Sequence, residues 1–450
     1  MLARRVPAPA TRAPQVRDAT ARTPGPPVQV GAPGLDPRRL HAANTEAAAF
    51  YRHQLHSPAG AGPRGYLLGR GGAVMLDGGR WVVGYAPDTW TTLIDHLRRL
   101  GFTDTELLAA GLAARARTGR LIDVFRNRIV FAVHDLHGRI VGFIGRAGPR
   151  DRSGAQRYLN TADTALYRKG EVLFGLWEQL PQLAAPDRPL LLVEGTFDVL
   201  AVAAAATAGP PGTQPVAVTP SGTALTRSQA DTITRTAGPD RPIVVGFDAD
   251  PAGQAAAARA WTVLGGDLPS GHTSPRRPLR RLDLPAGADP SAVLAQHGAE
   301  ALHRILADPG TTRPLIDLVL DHRITPWTGQ LDWIEARVAA ARAIAPTIAA
   351  QPPDEITRLV IRTAARLHLH HSTVTGIVTA AFPAVAEAAA RVTACAGRRR
   401  DRAHPETVPP ARALRDAAYP TGIHADLDPT PTRLPATPPA APASRPTRRR

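Results

Sequence analysis

Residues 241–260 read RPIVVGFDADPAGQAAAARA, and the fold turns on how this stretch is parsed. Ile243, Val244 and Val245 form a short β-branched run of the kind that makes a buried strand. Asp250 falls where a helix N-cap belongs, with Pro251 at the first helical position. The alanine-rich run that follows is a strong helix former. The unit is therefore strand, acidic tip, helix. Two readings of its carboxylates stand open. Asp248 ends a strand while Asp250 caps a helix, or the two together hold a hard divalent cation, as in phosphoryl-transfer sites.

A second strand tip of the same kind lies upstream. Residues 190–200, LLLVEGTFDVL, put Glu194 and Gly195 at a strand's carboxyl end and Asp198 in the first helical turn. Between residue 187 and about 295, strand and helix alternate, which predicts a mainly parallel sheet flanked by helices. In such sheets ligands gather outside the carboxyl ends of the strands. If the strands carrying Glu194 and Asp248 are neighbours, both acids face one crevice. Carboxylates packed together repel, so a cation is their natural partner. The plainer readings are that Asp198 favours the helix dipole and that Gly195 is a turn residue.

Around this α/β block the composition changes. Residues 1–36 are rich in Pro, Ala and Arg, and 391–450 are Pro-rich and end in RPTRRR; both read as disordered basic tails. Residues 37–184 mix helices with short strands. In it RIVFAV (128–133) and RIVGFIG (139–145) form a hairpin. Residues 185–296 are the alternating block. Residues 297–390 read as helical throughout, a small bundle.

The 450 residues carry a formal charge of +16 and a pI near 11.2, which points to a polyanionic partner such as nucleic acid. The single cysteine, Cys395, excludes a disulfide framework and a multi-cysteine zinc ribbon within this sequence. Of the 54 basic side chains one is a lysine, Lys169, followed by Gly170 and Glu171. A P-loop, which needs Gly-Lys-Ser/Thr, is excluded. No apolar run reaches the roughly 18 residues of a membrane span, and the N-terminus has no secretory signal. A cytoplasmic location with no membrane partner is the expectation.

The strand-end Glu194-Gly195 with Asp198, followed by the strand-end DxDxxG of Asp248 to Gly253, resembles the Toprim domain shared by bacterial primases, some topoisomerases and related nucleases. The flanking blocks choose within that group. YLNTADTALYRKGEVLFGL (158–176) and RNRIVFAVHDLHGRIVGFIGR (126–146) are similar to segments of DnaG-type bacterial primases. So are NTEAAAFYRHQL (44–55), GYAPDTWTTLIDHLRRLGFTDTELLAAGL (84–112), SGTALTRSQ (221–229) and RPLIDLVLDHRITP (313–326). The resemblance covers about residues 38–385. It implies an α/β protein: an α+β N-terminal subdomain, a Toprim domain with a mainly parallel sheet, and a C-terminal helical bundle.

The resemblance also implies a DNA-directed RNA polymerase that makes short RNA primers on a single-stranded DNA template from ribonucleoside triphosphates, using Mg²⁺ or Mn²⁺ and no zinc. Glu194, Asp248 and Asp250 would be the catalytic acids, with Glu194 either a metal ligand or a base. Asp198 and Asp289 would complete the metal-binding set. The template and nucleotide contacts would be Arg126, Arg128, Arg146, Arg157, Tyr158, Asn160 and Lys169, with Gly195 and Gly253 as structural glycines. Dispersed positive charge and aromatic surface are what a phosphate-tracking groove needs. Two positions depart from the family pattern: Asp289-Pro290-Ser291 replaces Asp-Pro-Asp, and Arg126-Asn127-Arg128 replaces Arg-Asp-Arg. With no zinc ribbon and no helicase-binding domain in this sequence, start-site choice is expected to be relaxed or to come from a separate zinc-ribbon partner or a replicative helicase, in plasmid, phage or chromosomal replication. The competing readings are a single-stranded-DNA-binding protein without synthesis and a Toprim nuclease.

Overall fold

A computed structural model describes residues 35–391 except for breaks at 77–78, 149–155, 186, 211, 213, 223, 269–276, 286–287 and 389. Cys395 and all but the inner edges of the two expected tails lie outside those residues.

The N-terminal half opens with α1 (Pro37–His56), whose N-cap Asp36 accepts the Arg38 N–H and whose first position is a proline. Then come α2 (Ala61–Leu68), α3 (Ala73–Leu76), β1 (Val83–Ala86), α4 (Thr92–Arg99) and α5 (Asp104–Ala109). A small ribbon, β2 (Ala113–Arg115) with β3 (Leu121–Asp123), leads into β4 (Arg128–His134), β5 (Ile140–Ala147) and β6 (Tyr158–Asn160). Strands β1, β4, β5 and β6 form an antiparallel sheet in the order β1-β4-β5-β6, with β4 and β5 as the expected hairpin. One face, including Val130 and Phe143, packs on Leu40, Tyr51, Leu93 and Leu97 of α1 and α4. The opposite face, including Ile129, Phe131 and Val133, shares a core with Leu191, Val193, Phe197 and Val244.

Those last residues belong to the second sheet. It runs through β7 (Leu190–Val193), α6 (Thr196–Thr207), β8 (Val216–Val218), α7 (Arg227–Ala237), β9 (Ile243–Gly246), α8 (Pro251–Val263), β10 (Leu279–Leu282), α9 (Pro290–Ala307) and β11 (Thr312–Pro314). The strand order is β11-β10-β9-β7-β8. Strands β10, β9, β7 and β8 are parallel and β11 is antiparallel. Alternate residues explain the two cores: Leu190, Leu192, Ile243 and Val245 face α7, α8 and the terminal helices, while Leu191, Val193 and Val244 face the N-terminal sheet. The chain ends in α10 (Leu315–Ile324), α11 (Ile334–Ala349), α12 (Pro353–Leu367) and α13 (His371–Thr379).

One segment differs from the sequence reading. Residues 297–390 are not helical throughout, because Thr312–Pro314 adds β11 to the sheet. It is an edge strand, where a β-branched Thr312 fits and the missing N–H of Pro314 leaves no ladder bond broken. Helix α9 also runs past residue 296, with a break at Gly298 (φ 81°).

Candidate active site

The acidic crevice is built from strand ends. Strands β7 and β9 are direct neighbours with Val193 opposite Gly246, so the residues just beyond them come together. Glu194 Oε1 accepts the Asp248 N–H at 3.0 Å. The Glu194 carbonyl accepts the Thr219 hydroxyl at 2.8 Å, tying in the end of β8. Burial, and then the charges of Asp248, Asp250 and Asp289, hold the Glu194 carboxyl above its ordinary range against the pull of the Asp248 N–H. Asp248 is raised by desolvation, Asp289 and Asp250.

Asp250 caps α8 and accepts the Gly253 N–H at 2.7 Å, so the capping reading is realised in the structure. A Cβ on Gly253 would lie 2.1 Å from the Asp248 carbonyl oxygen. Only glycine lets the first turn of α8 close over the acidic loop. Gly195 serves differently. Its φ of −116° suits any residue, but a Cβ would sit 2.9 Å from Asp198 Oδ2, so it leaves room for that carboxylate.

Asp198 lies 8% exposed in the first turn of α6. It accepts the Gly195 N–H at 3.1 Å and the Ser291 N–H at 3.2 Å. Burial above all, and then Asp289, pushes its carboxyl up to about 7. Asp289 caps α9, accepting the Ala292 N–H and, at 2.9 Å, the Ser291 hydroxyl. A cavity of about 110 Å³ opens beside these groups, with Asp248, Gly253, Arg281, Asp283 and Asp289 in its wall.

The donors are all hard oxygens, and burial together with neighbouring charge raises the carboxyls of Glu194, Asp198 and Asp248, the chemistry that suits a hard divalent cation. Among the described residues, however, no three acid, histidine or cysteine side chains aim their donor atoms at a common position. Glu194 is turned onto the Asp248 N–H, and Asp198, Asp250 and Asp289 are likewise turned onto backbone N–H groups.

The basic residues gather at one end of the N-terminal sheet because of its register. Ile129 stands opposite Arg146, and Arg146 opposite Tyr158. Arg146 is 6% exposed. Its guanidinium lies 5.0 Å from the Tyr158 ring centroid and donates to the Tyr66 hydroxyl at 3.1 Å. Its Nε is buried with no partner among the described residues. Arg128 donates to the Gln156 carbonyl at 2.8 Å, a structural role, and Arg157 is exposed. Asn127 takes φ +48° and accepts the Tyr85 hydroxyl at 3.2 Å. A left-handed residue explains asparagine at this position, since Asn tolerates that region better than most side chains.

Tyr158 links the two regions: burial raises its phenol, Arg146 lowers it, and Asp198 raises it again. Asn160 donates to the Ser221 carbonyl at 3.3 Å, and its Oδ1 is buried without a partner among the described residues. Lys169 is half-buried, and desolvation lowers its ammonium against the opposing charge of Asp163. Its carbonyl accepts from Gln229 in α7 at 3.2 Å.

Sequence reasoning missed three residues here. Trp90, 64% exposed, lies 4.5 Å under the Arg126 guanidinium. An exposed tryptophan beside arginine is a stacking surface, but Trp90 falls in a loop with no periodic pattern to mark it. Tyr66 and Arg70 come from α2 and the turn after it, where YLLGRGG reads as a plain helix end.

Comparison with known proteins agrees with this layout. Residues 50–180 match the family described as DNA primase catalytic core, N-terminal domain, and residues 191–271 match the Toprim-like family. The DNA primase of Synechococcus elongatus is 35% identical over 271 residues, 60% of this chain and 37% of that protein. The DNA primase of Haemophilus influenzae is 32% identical over 330 residues, 72% of this chain and 50% of that protein. The RNA polymerase domain of Mycobacterium tuberculosis primase DnaG, solved with a double-stranded DNA oligomer bearing a 6-nucleotide overhang, superposes with a TM-score of 0.57 at 30% identity, covering 74% of this chain and 98% of that one. A DNA primase domain from Pseudomonas aeruginosa gives 0.58 at 28%, covering 76% and 99%. The chain thus spans half or less of the length of these two curated relatives.

Proposed function

We propose that this chain, which belongs to the DnaG-type primase catalytic-core family, is a primer-synthesising polymerase core that joins ribonucleotides on a single-stranded DNA template. The observation that carries the reading is Glu194 accepting the Asp248 N–H at adjacent parallel strand ends, with the Tyr158 hydroxyl of the Arg146–Tyr158 stack beside Gly195. Glu194, Asp248 and Asp250 are the residues we assign to a divalent cation, Mg²⁺ or Mn²⁺. When bound, that ion offsets the charge of the nucleotide phosphates as the 3′ hydroxyl attacks the α-phosphate and pyrophosphate leaves.

The chain's own groups do the rest. The partnerless Arg146 Nε and Asn160 Oδ1 offer a donor and an acceptor to an incoming nucleotide. Lys169, half-buried beside Asp163, suits a phosphate as a compact point charge. Arg126 and Arg157 form the template side, Arg128 supports it from beneath through the Gln156 carbonyl, and Trp90 under Arg126 gives a base a flat face on which to stack. A helicase or a separate zinc-ribbon protein as the source of start-site choice belongs to the same proposal, as does a cytoplasmic setting. No described helix is long and apolar enough to cross a membrane.

The test is to incubate the protein with a single-stranded template, labelled ribonucleotides and Mg²⁺ or Mn²⁺. RNA oligomers that vanish in Asp248→Asn support the proposal. Binding without synthesis points to a DNA-holding protein, and shortening of the template to a nuclease.

A further inference from the structure

The turn after α2, Gly69-Arg70-Gly71-Gly72, reaches the acidic crevice from the N-terminal half. Gly71 has φ +77°, and a Cβ there would lie 2.0 Å from Leu294 Cδ2 in α9, so the turn rests directly on the start of that helix. Arg70 Nη1 donates to Ser291 Oγ at 3.0 Å. The same hydroxyl donates to Asp289 Oδ1 at 2.9 Å, and the Ser291 N–H donates to Asp198. The guanidinium is flanked by the rings of Tyr66 and Phe197, at 5.8 and 5.7 Å. Ser291 is only 3% exposed. A permanent cation, lying against two aromatic rings, is thus wired through one buried hydroxyl to Asp289.

We infer that Arg70, acting through Ser291, supplies the compensating positive charge at the Asp289 edge of the crevice. A divalent cation is then held on the Glu194–Asp248–Asp250 side alone, and Asp289 is a positioning residue that fixes the start of α9. The inference rests on the metal-dependent reading above. The physical reason is the difference between the two edges. At one, an oxygen of Asp289 already accepts the Ala292 N–H and the Ser291 hydroxyl, with a guanidinium behind them. A guanidinium cannot be deprotonated to make room for a second cation. At the other, Glu194 and Asp248 stand at adjacent strand ends joined only through the Asp248 N–H, and a cation relieves the repulsion of carboxylates brought together. A serine at position 291 suits this arrangement because its hydroxyl both accepts from Arg70 and donates to Asp289, which a carboxylate cannot do.

The test is Mn²⁺ binding to the full chain, followed by the electron paramagnetic resonance signal of the free ion, with thermal melts to check folding. The expected result for the unaltered chain is one bound equivalent. Asp289→Asn keeps an N-cap of equal strength and should change the Mn²⁺ dissociation constant by less than about threefold, whereas Asp248→Asn should raise it by about tenfold or more. The double variant R70M/S291D removes the cation and adds an acid, and should bind a second equivalent. Two equivalents in the unaltered chain, a tenfold loss in Asp289→Asn, or a folded R70M/S291D that stays at one equivalent would each overturn the inference. If the double variant does not fold, the comparison of Asp289→Asn with Asp248→Asn decides alone. No Mn²⁺ binding at all would instead remove the metal-dependent reading itself.

Discussion

The acidic crevice and the basic end of the N-terminal sheet lie on the same molecule and are built by opposite means. In the crevice every acid is placed by local chain grammar: a strand ends, a carboxylate follows, a helix begins. Asp250 and Asp289 cap helices, Asp198 sits in a first turn, and Glu194 takes a backbone N–H. At the basic end nothing is local. Arg146, Tyr158 and Tyr66 meet because three separate segments are brought into register and packed together. The first region is held by backbone and repels itself electrostatically; the second is held by rings and guanidinium planes and has charge to spare. The proposed function puts an incoming nucleotide and its divalent cation between the two.

That contrast can be broken most sharply at Asp248. Asp248→Asn keeps the size of the side chain and leaves the backbone N–H to Glu194 in place. It should abolish synthesis by about a hundredfold or more while single-stranded DNA affinity stays near that of the unaltered chain. Loss of both together would mean that the crevice also holds the template. Next comes Arg146→Lys, which keeps the charge but not the plane that stacks on Tyr158. The expected outcome in steady-state kinetics is a fall of roughly tenfold in kcat/KM for nucleotides, with the melting temperature also lowered because the residue is buried.

Trp90→Ala should weaken single-stranded DNA binding by about 1–3 kcal/mol if the ring stacks a base, measured by fluorescence anisotropy. An unchanged affinity would leave Trp90 as a shelf for Arg126 only.

How much of this was legible in the sequence follows the same division. The strand–acid–helix units at 190–200 and 241–260 could be read directly, because capping, helix propensity and β-branched runs act within a few residues. A mainly parallel sheet follows from the alternation, but which strands are neighbours does not; the hairpin of β4 and β5 follows from its turn. Strand β11 was not legible, since three residues beside a proline carry too little pattern against a helical background. Nor was Arg70, whose meaning lies in contact with a residue 221 positions away. Histidine 134 reads as part of a turn but ends β4 as a buried partner of Glu178, at 2.7 Å, stacked on Trp177. Only the fold brings Glu178 there.

The smallest expected effect concerns Asp123, which lies beside Arg126. Asp123 accepts the Leu93 and Ile94 N–H groups at the start of α4, and burial raises its carboxyl from 3.8 to about 6. A folded value above the unfolded one means that protonation favours the folded state. This contribution is complete below about pH 4 and is lost as pH rises through 6. Asp123→Asn should therefore flatten the pH dependence of the melting temperature between those limits, and leave Mn²⁺ binding in the crevice untouched.

The central claim is that Glu194 and Asp248 share a divalent cation at the ends of β7 and β9. It is tested most directly by anomalous diffraction from crystals of the protein grown with Mn²⁺. The account expects a peak within metal–oxygen bonding distance, about 2.0–2.6 Å, of carboxylate oxygens from both residues. A fully occupied peak that touches neither, or crystals with Mn²⁺ in excess and no peak in the crevice, would contradict it.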